Sequence, residues 1–320
     1  MKLGKFFDLA VKLGMEVDIR GKEKIVARLE ELRRIYETMS KEAKAMFDVQ
    51  RLSNPFGDTR LLYGDRDREI RAFLTGIVID ERHLLYADAL RRRGRPVDLV
   101  VAHHTAGWGW GLASVEDVLS PMFDRMVGVG VPLKVAKEVV EKFMKEKDDP
   151  RRMLNNDLIK MAESLDLPCA TIHTPADNHN LWALRITLEK NKPETVGQAV
   201  DLLNREIPEF AHAYKWGEGA SLVAGEPKNK LGCKIYYSQA LGWSPNPECF
   251  EAICRAGVET CLMTAPSGEN QRIAQDYGVN LIFIPHNPVD SLGMNLLYDK
   301  LISREEIEII PCSGYQRFKR

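Results

Sequence analysis

The sequence lacks several features that would by themselves identify a class of protein. No apolar run approaches the roughly 18–20 residues that cross a bilayer, and no small-residue cleavage site follows the amino-terminal stretch MKLGKFFDLAVKLGM. The six cysteines show no C-x-x-C spacing, which argues against a structural zinc site and against a disulfide framework. We therefore expect a reduced, cytoplasmic protein without a signal peptide or a membrane-spanning segment.

Excess charge and phosphate-binding motifs are also absent. The 45 basic and 46 acidic residues give a formal net charge of -1, whereas a dedicated nucleic-acid binder needs a large basic excess to hold phosphates. The run RRRGR at 91–95 is better explained as the solvated end of a helix that Gly94 closes. Neither a P-loop nor a G-x-G-x-x-G motif occurs, so a nucleotide substrate stays open without a motif that supports it.

The 320 residues are enough for roughly two domains, and the pattern changes near residue 67. Residues 1–66 are predicted to be mostly helical, with a loop at 52–58 and no chemically active group of residues. From residue 67 onward, apolar strands alternate with helices, which predicts an α/β fold of two lobes with largely parallel sheets flanked by helices. The predicted strands are RAFLTGIVID (71–80), VDLVVAHH (97–104), PCATIHT (168–174), CKIYYSQ (233–239), TCLMTA (260–265) and NLIFIPH (280–286).

The expected organisation is a helical amino-terminal extension (1–66), a first α/β half (67–205) and a second α/β half (230–320), with a loop at 215–230. In such sheets ligands bind beyond the carboxyl ends of the strands. Histidine and aspartate residues collect at those ends: His103 and His104, His173 with Asp177, and His286 with Asp290. We expect these strand ends to surround one cavity between the two halves.

Imidazole and carboxylate groups together are the ligands of zinc, iron, manganese or nickel. This many groups suits two ions ~3.5–4 Å apart, which would polarise a substrate oxygen and activate water near neutral pH. A different interpretation is helix capping, because HTPAD (173–177) and HNPVD (286–290) both resemble capped helix starts. In HNPVD, Asn287 would then be the cap, Pro288 the first helical residue, and Asp290 would reach back to free backbone donors.

The remaining candidates are interpreted as structural. Asp80 is predicted to cap the helix at 81–93, and His83 and His212 carry no partner signal. His179, two residues after Asp177, could be a ligand, but exposure to solvent on its helix is the preferred interpretation. Trp108 and Trp110, in GWGWG at 107–111, could stack on a heterocyclic ligand, but packing in an interface or core is the preferred interpretation.

The combination resembles the Nif-three-like family, also called type 2 GTP cyclohydrolase I homologues, over about residues 70–305. VDLVVAHHT is similar to the family element D-LVV-HHP, HTPAD to H-T-N-L-D, and PHNPVD to G-H-x-x-x-E. Thr105 stands where the family has proline, and Asp290 where it has glutamate. The resemblance implies a two-lobed fold, a two-metal site and a hexamer of stacked trimers. Carried over by position, the metal ligands would be His103, His104, Asp177, His286 and Asp290.

The resemblance also places His173 beside the metals, where it is a candidate proton shuttle. The favoured function is a metal-dependent hydrolase with two divalent ions and a small polar or heterocyclic substrate, nucleotides included. The alternative is a non-catalytic metal-binding scaffold or regulatory protein. For the expected hexamer, the apolar stretches FF (6–7) and GWGWG are candidate contact surfaces.

Overall fold

The predicted α/β fold is confirmed by a computed structural model, which describes residues 1–105, 115–147, 156–239, 243–303 and 305–320. The chain forms two compact units, each assembled from separate segments. Unit 1 comprises Met1–Val118, Asp149–Ala176 and Leu297–Tyr315, and unit 2 comprises Leu119–Asp148, Asp177–Leu296 and Gln316–Arg320. No helix among the described residues is long and apolar enough to span a membrane.

Unit 1 is built on a five-stranded sheet with the order β1-β4-β3-β2-β9. Its central strands pair in parallel and are mostly apolar, as expected for strands that are buried on both faces. The edge strand β1 runs antiparallel to β4. The strands are β1 (Arg60–Tyr63), β2 (Ala72–Ile79), β3 (Leu99–Thr105), β4 (Cys169–Thr171) and β9 (Glu308–Cys312).

Helices cover this sheet and fill the amino-terminal region, as predicted. They are α1 (Leu3–Glu16), α2 (Lys22–Thr38), α3 (Lys41–Ala45), a 3-10 turn (Val49–Leu52), α4 (Glu81–Arg92) and α7 (Asp157–Ser164). The expectation that Phe6 and Phe7 form a contact surface is wrong, because both are buried in unit 1. Phe6 packs edge-on against Phe73 of β2, with ring centroids 5.2 Å apart. The amino-terminal helix is therefore part of the core of this unit.

Unit 2 is built on a four-stranded sheet with the order β5-β8-β7-β6. Strands β6, β7 and β8 are parallel and β5 is an antiparallel edge. The strands are β5 (Ser221–Ala224), β6 (Ile235–Tyr237), β7 (Thr260–Met263) and β8 (Asn280–Phe283). Strand β5 lies in the segment that was predicted to be a loop. The helices are α5 (Val115–Gly128), α6 (Leu133–Lys147), α8 (Thr174–Asn191), α9 (Val196–Glu206), α10 (Pro208–Tyr214), α11 (Pro247–Arg255), α12 (Gly268–Asp276) and α13 (His286–Leu301).

Candidate metal centre

Three histidines of unit 1 meet at the carboxyl end of its sheet. His103 and His104 are the two residues before Thr105, the last residue of β3, and this strand lies between β2 and β4. Their rings lie 4.5 Å apart at an angle of 33°, so the end of the strand turns both towards the same side. The ring of His173, two residues after β4, lies 4.5 Å from each of them. Parallel strand order thus brings together side chains that are 70 positions apart in sequence.

The nitrogen atoms of this group are close enough to bind one ion. One ligand atom from each of His103, His104 and His173 lies within 4.8 Å of the others. The Nε2 atoms of His104 and His173 are 2.8 Å apart. Since metal–nitrogen bonds of about 2.0–2.1 Å separate two ligand atoms of one ion by about 3 Å, this spacing fits a shared ion. His103 and His173 are buried, whereas His104 is half-buried.

A buried carboxylate supports the histidine group, and it was not predicted. Asp58, in the loop before β1, lies with its Oδ2 atom 2.7 Å from Nδ1 of His173. The hydroxyl of Thr174 donates to the same Oδ2 atom over 2.6 Å. Only 3% of Asp58 is exposed. A carboxylate on the outer nitrogen of a metal-binding histidine fixes the orientation and tautomer of its ring. The expectation that residues 1–66 hold no chemically active group is therefore wrong.

The loop that carries Asp58 is held by its own hydrogen bonds. The Asn54 side-chain amide donates to the Thr59 carbonyl over 2.6 Å, and its Oδ1 accepts from the Phe56 amide over 3.0 Å. The guanidinium of Arg60, almost fully buried, donates to the Thr59 carbonyl over 2.7 Å. Its Nε also pairs with Asp48 at 2.7 Å. These bonds occupy the backbone oxygens of the loop and hold Asp58 in place.

In unit 2, the predicted residues lie near the starts of two helices, α8 and α13. Asp177 is in the first turn of α8, is buried, and accepts a hydrogen bond over 3.0 Å from the side chain of Asn180. Helix α13 begins at His286 itself, so the interpretation of Asn287 as the cap is wrong. Nε2 of His286 lies 3.3 Å from Oδ2 of Asp290, one helical turn further on. The Asp290 side chain is buried, whereas the His286 side chain is 53% exposed.

Asp80, His83 and His212 have structural roles, and the position of His179 differs from its prediction. Asp80 caps α4 and His83 completes the capping box, as predicted for Asp80. The guanidinium of Arg82 lowers the pKa of Asp80 to about 2. His179 was preferred as an exposed residue, but it is fully buried, as are all residues at the start of α8 from 174 to 181. The His212 ring packs 5.9 Å from that of Phe318.

The chemistry of the donors fits a divalent ion of the zinc, iron, manganese or nickel class, because the donors are imidazole nitrogens and carboxylate oxygens, most of them buried. The cysteines add little to it, since burial raises the pKa of Cys169 to about 12 and keeps it a thiol. Trp108 and Trp110 lie outside the described residues.

Comparisons with known proteins give structural likenesses only. No family model and no curated protein matches the sequence. The chain is similar to a NIF3 superfamily protein from Sphaerobacter thermophilus, with 26% identity and a TM-score of 0.66 over 81% of this chain and 91% of that one. It also matches reduced HcgD from Methanocaldococcus jannaschii, with 14% identity and a TM-score of 0.45 over 88% of this chain and 96% of that one. A Bacillus cereus protein related to NIF3 matches with 11% identity and a TM-score of 0.40 over 88% and 96% of the two chains.

Proposed function

As the chain belongs to the Nif-three-like family, we propose that it is a metal-dependent hydrolase with two divalent ions. The proposed ligands are His103, His104, Asp177, His286 and Asp290, and together they form one centre. The substrate is a small polar or heterocyclic compound, nucleotides included. The observation that carries the proposal is the group of three histidines in unit 1, whose ligand atoms lie within 4.8 Å of one another.

Two features of unit 2 support the same proposal. His286 and Asp290 present Nε2 and Oδ2 3.3 Å apart on one side of α13, a spacing that suits two ligands of one ion. Asn180 holds the Asp177 carboxylate by a hydrogen bond, which is how ligating carboxylates are usually oriented. Asp177 lies in the first turn of α8, where the helix dipole favours the ionised form that metal binding requires.

The chemistry divides between the ions and the chain. Divalent ions at this site would polarise a substrate oxygen and lower the pKa of a water molecule. His173 would carry the proton between this water and the leaving group, because its Nε2 atom faces the histidine group while its Nδ1 atom is bonded to Asp58. Because His103 and His173 are buried, bulk water would not compete for the proton.

The first test is metal content. Purified protein, dialysed against metal-free buffer after loading with zinc, manganese or iron, should retain close to two ions per chain by elemental analysis. His104→Ala should lose metal, whereas His212→Ala, which removes a histidine that packs on Phe318, should retain it. Equal metal content in the two variants would contradict the assignment of His104 as a ligand.

The second test is turnover. The loaded protein should be screened against nucleotides, cyclic amides and phosphoesters, and hydrolysis should depend on the added metal. His173→Gln should abolish turnover while the metal stays bound. Metal binding without turnover of any of these classes, together with metal-dependent binding of a partner protein, would instead identify a scaffold or regulatory protein.

We also propose that the chain self-associates as a hexamer, which rests on the family resemblance alone. Trp216 and Tyr214 are exposed apolar side chains of unit 2 that a contact between copies could cover. Light scattering at micromolar concentration should give six times the mass of the chain. A monomer would contradict the assembly and leave the metal-site proposal intact.

A further inference from the structure

We infer that Asp58 is a positioning residue of the proposed metal centre, and that it sets the tautomer of His173. This inference rests on the proposed function for its purpose, but its geometry stands in unit 1 alone. On this inference, the loop before β1 contributes a residue to the site and is not only a connection from the amino-terminal helices.

Asp58 is surrounded by hydrogen-bond donors. Its Oδ2 atom accepts from the Thr174 hydroxyl over 2.6 Å and lies 2.7 Å from Nδ1 of His173. Its Oδ1 atom accepts from the Thr59 hydroxyl over 3.2 Å and from the Thr174 backbone amide over 3.3 Å. An ionised carboxylate can only accept, so the proton between Asp58 and His173 belongs to Nδ1 of the histidine.

The position of this proton decides what the other side of the ring can do. A neutral imidazole carries one proton, so a protonated Nδ1 leaves Nε2 with a free electron pair. That Nε2 atom lies 2.8 Å from Nε2 of His104. In the metal-free protein it can therefore accept a hydrogen bond from Nε2–H of His104, or a proton from a water molecule, as a proton carrier must. Because His173 offers no N–H to His104, it does not occupy the electron pair that Nε2 of His104 gains when a metal displaces its proton.

The position of Asp58 is fixed from two sides. Arg60 and Asn54 hold the loop through its backbone oxygens. The amide of Thr174, the first residue of α8, donates to Asp58, so the negative charge lies at the positive end of that helix. A loop with this many bonds around one buried carboxylate holds its geometry within the tolerance that a catalytic group needs.

Replacement of Asp58 by asparagine should reverse the tautomer. The backbone amide of Thr174 is a fixed donor against Oδ1, so the side-chain oxygen of the asparagine must occupy that position. The NH2 group then takes the place of Oδ2 and faces Nδ1 of His173, which must become an acceptor. The proton moves to Nε2 and points at Nε2 of His104. Nε2 of His104 must then accept that hydrogen bond, which makes its electron pair less available to a metal.

The experiment measures the tautomer directly in the metal-free protein. Two-bond correlations between the ring nitrogens and ring protons, recorded at about pH 8.5 where imidazoles are neutral, report which nitrogen carries the proton. His173→Gln assigns the signals by their loss. We expect Nδ1–H for His173 in the wild-type protein and Nε2–H in Asp58→Asn. The matched control is Asp48→Asn, which weakens the Arg60 contact of the same loop without touching His173, and it should keep Nδ1–H.

A competition titration with zinc and a chelator supplies the second readout. Loss of a carboxylate behind a metal-site histidine costs about 10–100-fold in metal affinity, so we expect a fall of this size for Asp58→Asn and no comparable change for Asp48→Asn. Wild-type protein with the Nε2–H tautomer, or a folded Asp58→Asn variant that keeps Nδ1–H, would overturn the inference. Should Asp58→Asn not fold, the wild-type tautomer alone decides. If the wild-type protein binds no zinc, but Asp58→Asn still switches the tautomer of His173, the proposed function is wrong. The role of Asp58 in setting the tautomer is then still supported.

Discussion

Helices α8 and α13 begin with nearly the same sequence, HTPAD and HNPVD, yet the two histidines are held in different ways. His173 precedes its helix, is 4% exposed, and bonds to a carboxylate 115 residues earlier in the chain. His286 is the first residue of its helix, is half in solvent, and lies beside a carboxylate four residues later. A shared motif thus fixes the types of residue at a site without fixing their partners.

Under the proposed function, the difference would also separate two roles. His286 and Asp290, with Nε2 and Oδ2 3.3 Å apart, would be a pair of ligands for one ion. His173, with a distant carboxylate on its outer nitrogen, would transfer protons, since the carboxylate fixes the tautomer. The twin motifs are therefore expected to respond differently to the same substitutions.

The largest expected effects come from the two histidines. His286→Ala should lose bound metal because a ligand is removed. His173→Ala should keep its metal but lower the rate of hydrolysis about 10²–10⁴-fold, the usual contribution of a positioned proton carrier. Elemental analysis after dialysis and the rate on the best substrate measure the two effects. Full metal occupancy in His286→Ala would mean that HNPVD is only a helix start. Metal loss in His173→Ala would mean that His173 is a ligand.

Removal of the metal should cost the next largest amount of stability. Ions bound only by the folded chain stabilise it by about 2.7 kcal/mol at a free concentration of 100 times the dissociation constant. A chelator should therefore lower the free energy of unfolding of the wild-type protein by roughly that amount, as measured by urea denaturation. His173→Ala should respond like the wild type, whereas His286→Ala should respond little. If the chelator changes the free energy of unfolding of both variants equally, His173 and His286 do not differ in metal binding.

The aspartates of the two motifs can be compared with a known cap. Asp80 caps α4, so Asp80→Asn should cost about 1 kcal/mol or less and leave metal content unchanged. Asp177→Asn and Asp290→Asn should both lose metal, and the loss of stability in the loaded protein should exceed that of Asp80→Asn. Elemental analysis and urea denaturation with and without metal give the comparison. If all three variants behave alike, the two motifs are repeated caps.

The smallest expected effect is the pH dependence of the Asp80 cap. Its pKa is lowered to about 2, mainly by the hydrogen bonds from Arg82, from about 3.9 in an unfolded chain. A carboxyl whose pKa is lower in the folded state stabilises the protein above the unfolded value and stops doing so as the pH falls. The difference in stability between wild type and Asp80→Asn should thus shrink between about pH 4 and pH 2. A difference that stays constant over this range would contradict the role of Arg82.

Central strands could be predicted from the sequence, but three of the four edge strands among the described residues, β1, β5 and β9, could not. β2 and β3 are buried on both faces and therefore appear as continuous apolar runs. Strand β9, EIIPC, contains Pro311 and lies at an edge, where a residue without an N–H is tolerated. β1 begins with the buried Arg60 and β5 is a short edge. None of the three carries the periodicity by which strands are recognised.

The same limit applies to the site. His103 and His104 could be proposed because they follow an apolar strand whose carboxyl end must face ligands. Asp58 could not, because it lies in an ordinary loop and its partner His173 is far away in sequence. A contact of that kind is set by the antiparallel pairing of β1 with β4, which local patterns do not specify.

The pairing of β2 with β9 has a consequence for the time course of folding. Residues 72–76 bond to residues 308–312, which come much later in the chain. At about 5–20 residues per second, a ribosome needs roughly 7–27 s after finishing β4 before β9 is synthesised. During this interval the backbone groups on one edge of the apolar strand β2 are unpaired. An unpaired strand edge of this kind can pair with other chains. Successful synthesis of this protein therefore depends on how the nascent strand is shielded until its last neighbour arrives.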